Sequence, residues 1–214
     1  VKFAGASTEQ YNGDPADAIS RLKATLPIYS DLKHENLIEL IEAKEIGDGF
    51  AMVFKWADGD CMGRMYPAAY RRFIQLPIND RLAVFSDILS FLECVVSRNY
   101  VAIDFYDGAN GKTTICDIDL FRKQPCVNDM GHMWGSSRFQ SPEEHQLGAD
   151  IDEITNVYTL GATAFALFGE YNRTREKWQL SDKLFEIATR AVSDDRANRQ
   201  QTIRQFTAEW EAAQ

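Results

Sequence analysis

The sequence predicts an α+β protein made of a small sheet with one helix, followed by a larger helical body. Two observations carry that expectation. Short apolar runs bounded by Gly and Asp dominate the first quarter of the chain, whereas helical three-and-four spacing dominates the rest. Strands first and helices afterwards segregates the two kinds of element instead of alternating them. With 214 residues, 45% of them hydrophobic, the chain suits one large domain or two small ones and can bury a sizeable core.

In chain order, Val1 to Ala6 reads as a short strand carrying Lys2. Asn12-Gly13-Asp14-Pro15 is a turn that opens a helix, with Asp14 as N-cap and Pro15 at the first helical position. Ala18, Ile19, Leu22 and Leu26 follow at helical spacing until Pro27 kinks or ends the helix. Leu37 to Ala43 and Gly49 to Trp56 read as two strands joined by a Gly-Asp-Gly turn. The polar, aromatic-studded stretch from Ala57 to Pro77 reads as a long connection. From Asn79 to Arg98, Leu82, Phe85, Ile88, Leu89, Leu92, Val95 and Val96 mark a helix with one buried face. Lys123 to Glu144 lacks periodicity, and a loop that long inside a domain is usually functional. Asp152 to Phe168 reads as a central buried helix, and Lys183 to Val192 and Thr202 to Ala213 as two amphipathic ones.

The chemistry concentrates between Tyr100 and Arg122. Val101-Ala102-Ile103 delivers Asp104, and Ile115-Cys116 delivers Asp117. A carboxylate where a buried segment meets a loop costs free energy unless something compensates it. Two such groups suit a proton acceptor beside a metal ligand, although Asp is also a common turn residue at strand ends.

A net charge of −9 argues against a nucleic-acid partner, which wants clustered Lys and Arg. Cys61, Cys94, Cys116 and Cys126 show neither metal-ligand nor disulfide spacing. No apolar run approaches the roughly 18 to 20 residues that span a bilayer, and no signal peptide opens the chain. The expectation is a cytoplasmic protein with reduced thiols and no membrane partner.

Five segments in order resemble the eukaryotic-type protein kinase family. His34-Glu35-Asn36-Leu37-Ile38 resembles its His-Pro-Asn-Ile-Val, and Ile115-Cys116-Asp117-Ile118-Asp119-Leu120 stands where the family has a hydrophobic pair and Asp-Phe-Gly. Gly135-Ser136-Ser137-Arg138-Phe139-Gln140-Ser141-Pro142-Glu143 is similar to Gly-Thr-x-x-Tyr-Met-Ala-Pro-Glu. Asn156-Val157-Tyr158-Thr159-Leu160-Gly161 resembles Asp-Val-Tyr-Ser-Leu-Gly, and Asp195-Arg196-Ala197-Asn198-Arg199 resembles Asp-Pro-x-x-Arg.

The resemblance implies a bilobal protein-kinase-like fold. Residues 1–56 would form a partial β-rich N-lobe lacking its first strands, and residues 57–214 a helical C-lobe. It implies ATP and Mg2+ as ligands and a Ser or Thr hydroxyl of a protein as acceptor. Asp104 takes the catalytic-loop position and Asp117 the metal position. Lys2 resembles the strand lysine that grips the α- and β-phosphates. Phe54-Lys55-Trp56 takes the hinge position, where backbone groups pair with adenine, and Asp58 or Asp60 reaches the ribose. Ser136 stands where the family's Thr hydrogen-bonds the catalytic Asp, and Glu143 and Arg199 are expected to form a buried ion pair.

Several positions depart from the pattern. No Gly-rich loop precedes Lys2, and Thr25 stands where the lysine's partner Glu is expected. Asp119 adds a carboxylate beside Asp117 and is a second candidate metal ligand. Asn156 replaces the helix-start Asp, and Tyr106 the catalytic-loop Lys. The separation of 13 residues from Asp104 to Asp117 (117 − 104) falls short of the family's usual spacing. That shortfall leaves no room for the hairpin between catalytic loop and metal site, unless a segment is missing at Asn110-Gly111. Asn110 is the candidate for the second metal-binding Asn. Ile103 replaces the Arg that pairs with a phosphorylated activation loop, and Ile118 to Trp134 holds no Ser, Thr or Tyr. Two other functions stay in view. One is a pseudokinase that binds a protein partner. The other is a small-molecule phosphotransferase of aminoglycoside-kinase type, whose Gly-Asn-containing catalytic loop is similar to Asp107-Gly108-Ala109-Asn110.

Overall fold

A computed structural model describes residues 1–6, 13–61, 66–104, 106–109 and 113–214, with backbone alone for 60–61 and 106–109. Expectations placed on Asn110, and on the side chains of Asp60 and Tyr106, lie outside the described residues.

The chain is a mixed α+β fold. β1 (Lys2–Ala4) leads to α1 (Pro15–Ala24), and α2 (Leu26–Asp31) follows at once. Asp14 caps α1, its carboxylate accepting from the Ala16 N–H at 2.9 Å. With Pro27 in the first turn of α2, the helix breaks and restarts at Thr25-Leu26. β2 (Leu40–Ile46) and β3 (Gly49–Phe54) form an antiparallel hairpin, and β1 adds to the other edge of β3 with Lys2 opposite Met52. The order β1-β3-β2 leaves β3 central, with Phe50, Ala51 and Met52 nearly closed to solvent.

Two expectations need correction in this part of the chain. β2 begins at Leu40, not Leu37, because Leu37 instead bridges in parallel to Ile115. The bridge is held by the Ile115 N–H on the Asn36 carbonyl (2.6 Å) and the Ile38 N–H on the Ile115 carbonyl (2.9 Å). The stretch from Ala57 to Pro77 also has structure of its own: β4 (Asp60–Cys61) and α3 (Pro67–Phe73), which starts on Pro67 and buries Ala69 and Phe73.

α4 (Ile78–Ser97) has the buried face its spacing predicts, with Phe85, Ile88, Leu92 and Val95 inaccessible. Arg81 on that helix is buried too, its guanidinium donating to the carbonyls of Leu76 and Leu167 at 3.2 and 2.9 Å. β5 (Tyr100–Val101) comes next, then β6 (Tyr106–Ala109) and β7 (Thr113–Cys116), which pair antiparallel from Tyr106↔Cys116 to Ala109↔Thr113. The hairpin for which the spacing leaves no room is therefore present, and β4 extends it on the β6 side. What is short is the connection before it, since Phe105 alone separates Asp104 from β6.

β8 (Arg122–Lys123) pairs with β5, and β9 (Cys126–Val127) with β10 (Asp150–Ile151), in a region otherwise largely irregular. α5 (Glu153–Phe168), α6 (Asp182–Ala191) and α7 (Ile203–Glu211) complete the chain. α5 is central and buried on nearly every side. Gly161 lets α6 approach it, because a Cβ there would come within 2.7 Å of the Ala191 Cβ. Phe85, Phe168, Phe206 and Trp210 interlock where α4, α5 and α7 meet. One apolar core runs from β3 and α2 through α4 into these helices. Among the described residues no helix is long and apolar enough to cross a membrane.

Candidate active site

Two left-handed residues mark the site. Asp104 (φ 49°) and Asp117 (φ 64°) are non-glycine residues at positive φ, each where the chain leaves buried backbone. Such a backbone costs of order 1 to 3 kcal/mol and persists only when its surroundings hold it. For Asp104 the support comes from two directions. Two residues earlier, Ala102 is pinned by Asn156 of α5, whose amide accepts from the Ala102 N–H (2.9 Å) and donates to its carbonyl (2.7 Å). Opposite, Gly135 packs directly on Asp104, where a Cβ would lie 3.0 Å from the Asp104 Cβ.

Ser136 does reach Asp104, but through its backbone N–H. The Gly135 turn (φ 127°) presents the main chain of the next residue to Asp104. Burial raises the Asp104 carboxyl above its ordinary pKa; the Ser136 hydrogen bond pulls it back, and the charge of Asp117 pushes it up again. The charge of Asp117 therefore acts on Asp104.

Lys2, carried by β1, lies against Asp117 Oδ1 at 2.5 Å and Asp119 Oδ2 at 2.7 Å. Partial burial disfavours its charge, but hydrogen bonds and attraction from both carboxylates outweigh that and raise the ammonium pKa. Asp119 accepts a further bond from the buried Tyr29 hydroxyl at 2.9 Å, so both of its oxygens are engaged. Burial, then the neighbouring Asp119 charge, pushes the Tyr29 phenol far above its usual range. Asp117 is more open and, among the described residues, meets Lys2 through one oxygen. Of the two candidate metal ligands, Asp117 keeps an oxygen for a cation, while Asp119 is spent holding Lys2 and Tyr29.

Thr25 is turned to other partners. It is buried, its hydroxyl donating to the Leu22 carbonyl at 2.7 Å, and it lines a groove of about 670 Å³ between α1, α2 and residues 119–122. Asp119 thus supplies Lys2 with the acidic partner that the helix lacks. Nothing in the sequence pattern singles out Tyr29, which sits in a short helix two residues after a proline.

The expected hinge is only partly brought to the site. Phe54 lies at its edge, 5.1 Å from the Tyr29 ring and 6.0 Å from Lys2 Nζ. The Lys55 N–H is already committed to the Glu39 carbonyl at 2.9 Å, which removes it as a donor to a base. Its side chain turns to Glu39 at the surface. Trp56 is 85% exposed and donates to Asp58 at 2.8 Å, so neither lines the Lys2 cluster. β4 holds the backbone of Asp60 opposite Ala109.

Glu143 and Arg199 make the expected buried pair, bidentate at 2.7 and 3.0 Å, and Arg196 adds a second guanidinium at 2.8 Å. Despite burial, these cations hold Glu143 below the usual carboxylate range. Next to it, Glu144 accepts from the Ser141 N–H and hydroxyl at 2.7 and 2.9 Å. Burial drives its pKa up to about 7, against those hydrogen bonds and with help from the charges of Glu143 and Asp104.

Among the described residues, no group of three or more His, Cys, Asp or Glu could hold a metal ion by itself. A magnesium ion needs less, since one or two carboxylates plus substrate phosphates commonly suffice, and the second oxygen of Asp117 is of the right hard type. No protein-family model matches the chain.

Proposed function

We propose that the chain is a bilobal, protein-kinase-like phosphotransferase that moves the γ-phosphoryl group of ATP to a Ser or Thr hydroxyl of a protein. The observation that carries this reading is the Lys2–Asp117–Asp119 ion cluster with Asp104 inside its electrostatic reach. Phosphoryl transfer asks the protein mainly for positioning and charge, and this cluster holds both signs at one place. Lys2 would leave its carboxylates for the nucleotide phosphates. Asp117, with Asp119 behind it, would hold magnesium, which supplies charge neutralisation on the phosphates when bound. Asp104, anchored by Ser136, would accept the proton of the attacking hydroxyl; its raised pKa suits that task.

Ile103 supports a segment ordered without phosphorylation. It is buried with Val101, Met133 and Ile151, so apolar packing stands where an Arg–phosphate contact would otherwise act. One observation favours the second reading, a partner-binding pseudokinase: the chain between Asp104 and β6 is reduced to Phe105.

The test is transfer of labelled phosphate from ATP to a protein substrate in the presence of magnesium. Incorporation that disappears in Asp104→Asn supports the enzyme. Nucleotide binding without any incorporation, in the unaltered chain, transfers the case to the pseudokinase.

A further inference from the structure

We infer that Arg138 and Arg173 form a recognition site for an acidic side chain of the polypeptide whose hydroxyl reaches Asp104, an inference that rests on the phosphotransferase reading.

The position follows from the chain. Gly135 and Ser136 touch Asp104, and Arg138 lies two residues further along the same segment. A polypeptide that presents a hydroxyl to Asp104 lies against this segment. Arg173 meets it from the turn after α5, donating to the Arg138 carbonyl at 3.4 Å and to the Tyr158 hydroxyl at 2.8 Å.

Acidic residues outnumber basic ones, 32 to 23, and Arg122, Arg175, Arg190, Arg196 and Arg199 each meet a carboxylate. Neither Arg138 nor Arg173 forms an ion pair among the described residues. Two cations on adjoining segments repel each other, and with no carboxylate of the described residues paired to either, an anion from outside would relieve that repulsion. Glu170 is near enough that its charge and that of Arg138 both act on the Tyr70 hydroxyl, yet it forms no ion pair with either arginine among the described residues.

Both cations are held on aromatic faces. Arg138 Cζ lies 4.6 Å from the Tyr171 ring centre, and Arg173 Cζ lies 5.2 Å from that of Tyr158. Glu170 (φ 53°) and Tyr171 (φ 62°) are consecutive left-handed residues, a costly turn fixed by the Tyr171 N–H on the Phe165 carbonyl at 3.0 Å. That turn sets the Tyr171 ring against Arg138, Tyr70 and Phe139. Stacking limits the freedom of each guanidinium while leaving edge N–H donors for an anion, so less ordering remains for binding. A carboxylate, flat and accepting two bonds, matches that geometry.

The experiment is fluorescence anisotropy with two labelled peptides, one with Asp and Glu flanking its centre and one with Asn and Gln. The central Ser is replaced by Ala, so no phosphate transfer is required for the reading. The unaltered chain should bind the acidic peptide about tenfold more tightly, with the preference shrinking as salt rises. Arg138→Ala and Arg173→Ala should each erode that preference, and Arg138→Lys should restore part of it. Arg138 is exposed, so its loss leaves the core intact. Equal binding of the two peptides, or an acidic preference that survives both alanine variants, overturns the proposal. Acidic binding without transfer to the Ser-containing peptide would sink the phosphotransferase reading while leaving this site standing.

Discussion

Asn156 holds Ala102 at both its N–H and its carbonyl, accepting from the first at 2.9 Å and donating to the second at 2.7 Å. An Asp at this position could accept but not donate. Asn156→Asp should therefore strand the buried Ala102 carbonyl and place a carboxylate where none is compensated. We expect a loss of about 1 to 3 kcal/mol in urea unfolding, with an unchanged m value. Phosphate transfer should fall further than stability alone explains, because Ala102 fixes the approach to Asp104.

Gly135→Ala probes the other support of Asp104. The added methyl meets Asp104 at 3.0 Å, at a φ of +127° that L residues rarely adopt. Transfer should drop by about tenfold or more with nucleotide affinity retained, since a small displacement of the reacting group is costly to chemistry. Single-turnover kinetics beside nucleotide titration separates the two quantities.

Glu144 gives the fold a pH dependence of predictable sign. Its folded pKa, about 7, exceeds the ordinary carboxylate value of 4.5, so the folded state binds more protons between them. The stability tied to this group is fully present below about pH 4.5 and is lost as pH rises through about 7. Glu144→Gln retains an oxygen for the Ser141 donors and should flatten that fall. Urea midpoints at roughly pH 5 and pH 8, on either side of the folded value, should therefore lie closer together in the variant.

The Glu143–Arg199 pair is fully enclosed at its Arg end, whereas Arg196 is partly open. Arg199→Met should cost on the order of 3 to 5 kcal/mol by leaving a buried charge short of a partner. Arg196→Met should cost less, as the bidentate pair survives it. Equal losses in thermal or urea unfolding would argue against that ranking.

Much of the fold is legible where a residue's local chemistry and the final structure agree. Asp14-Pro15 opens its helix, α4 buries the face its spacing marks, and Glu143 finds Arg199. β6 is not legible, because Tyr106 to Ala109 has no apolar alternation; it is held by backbone pairing to β7 on one side and β4 on the other. α3 is hidden for a similar reason, being seven residues long and held by tertiary contacts such as the Tyr70 hydroxyl on the Ala166 carbonyl. At the site, Asp104, Asp117 and Lys2 are visible as residue types in sequence, but the Tyr29–Asp119 bond joins positions 90 residues apart. No local pattern announces such a contact.

The nucleotide-and-magnesium role proposed for Lys2 and Asp117 is tested most directly by titrating a non-hydrolysable ATP analogue into the chain by calorimetry, with and without magnesium. Saturable binding is expected, strengthened by magnesium, weakened in Lys2→Met, and without magnesium dependence in Asp117→Ala. Absence of binding under all conditions, or binding indifferent to magnesium and to both substitutions, would contradict it.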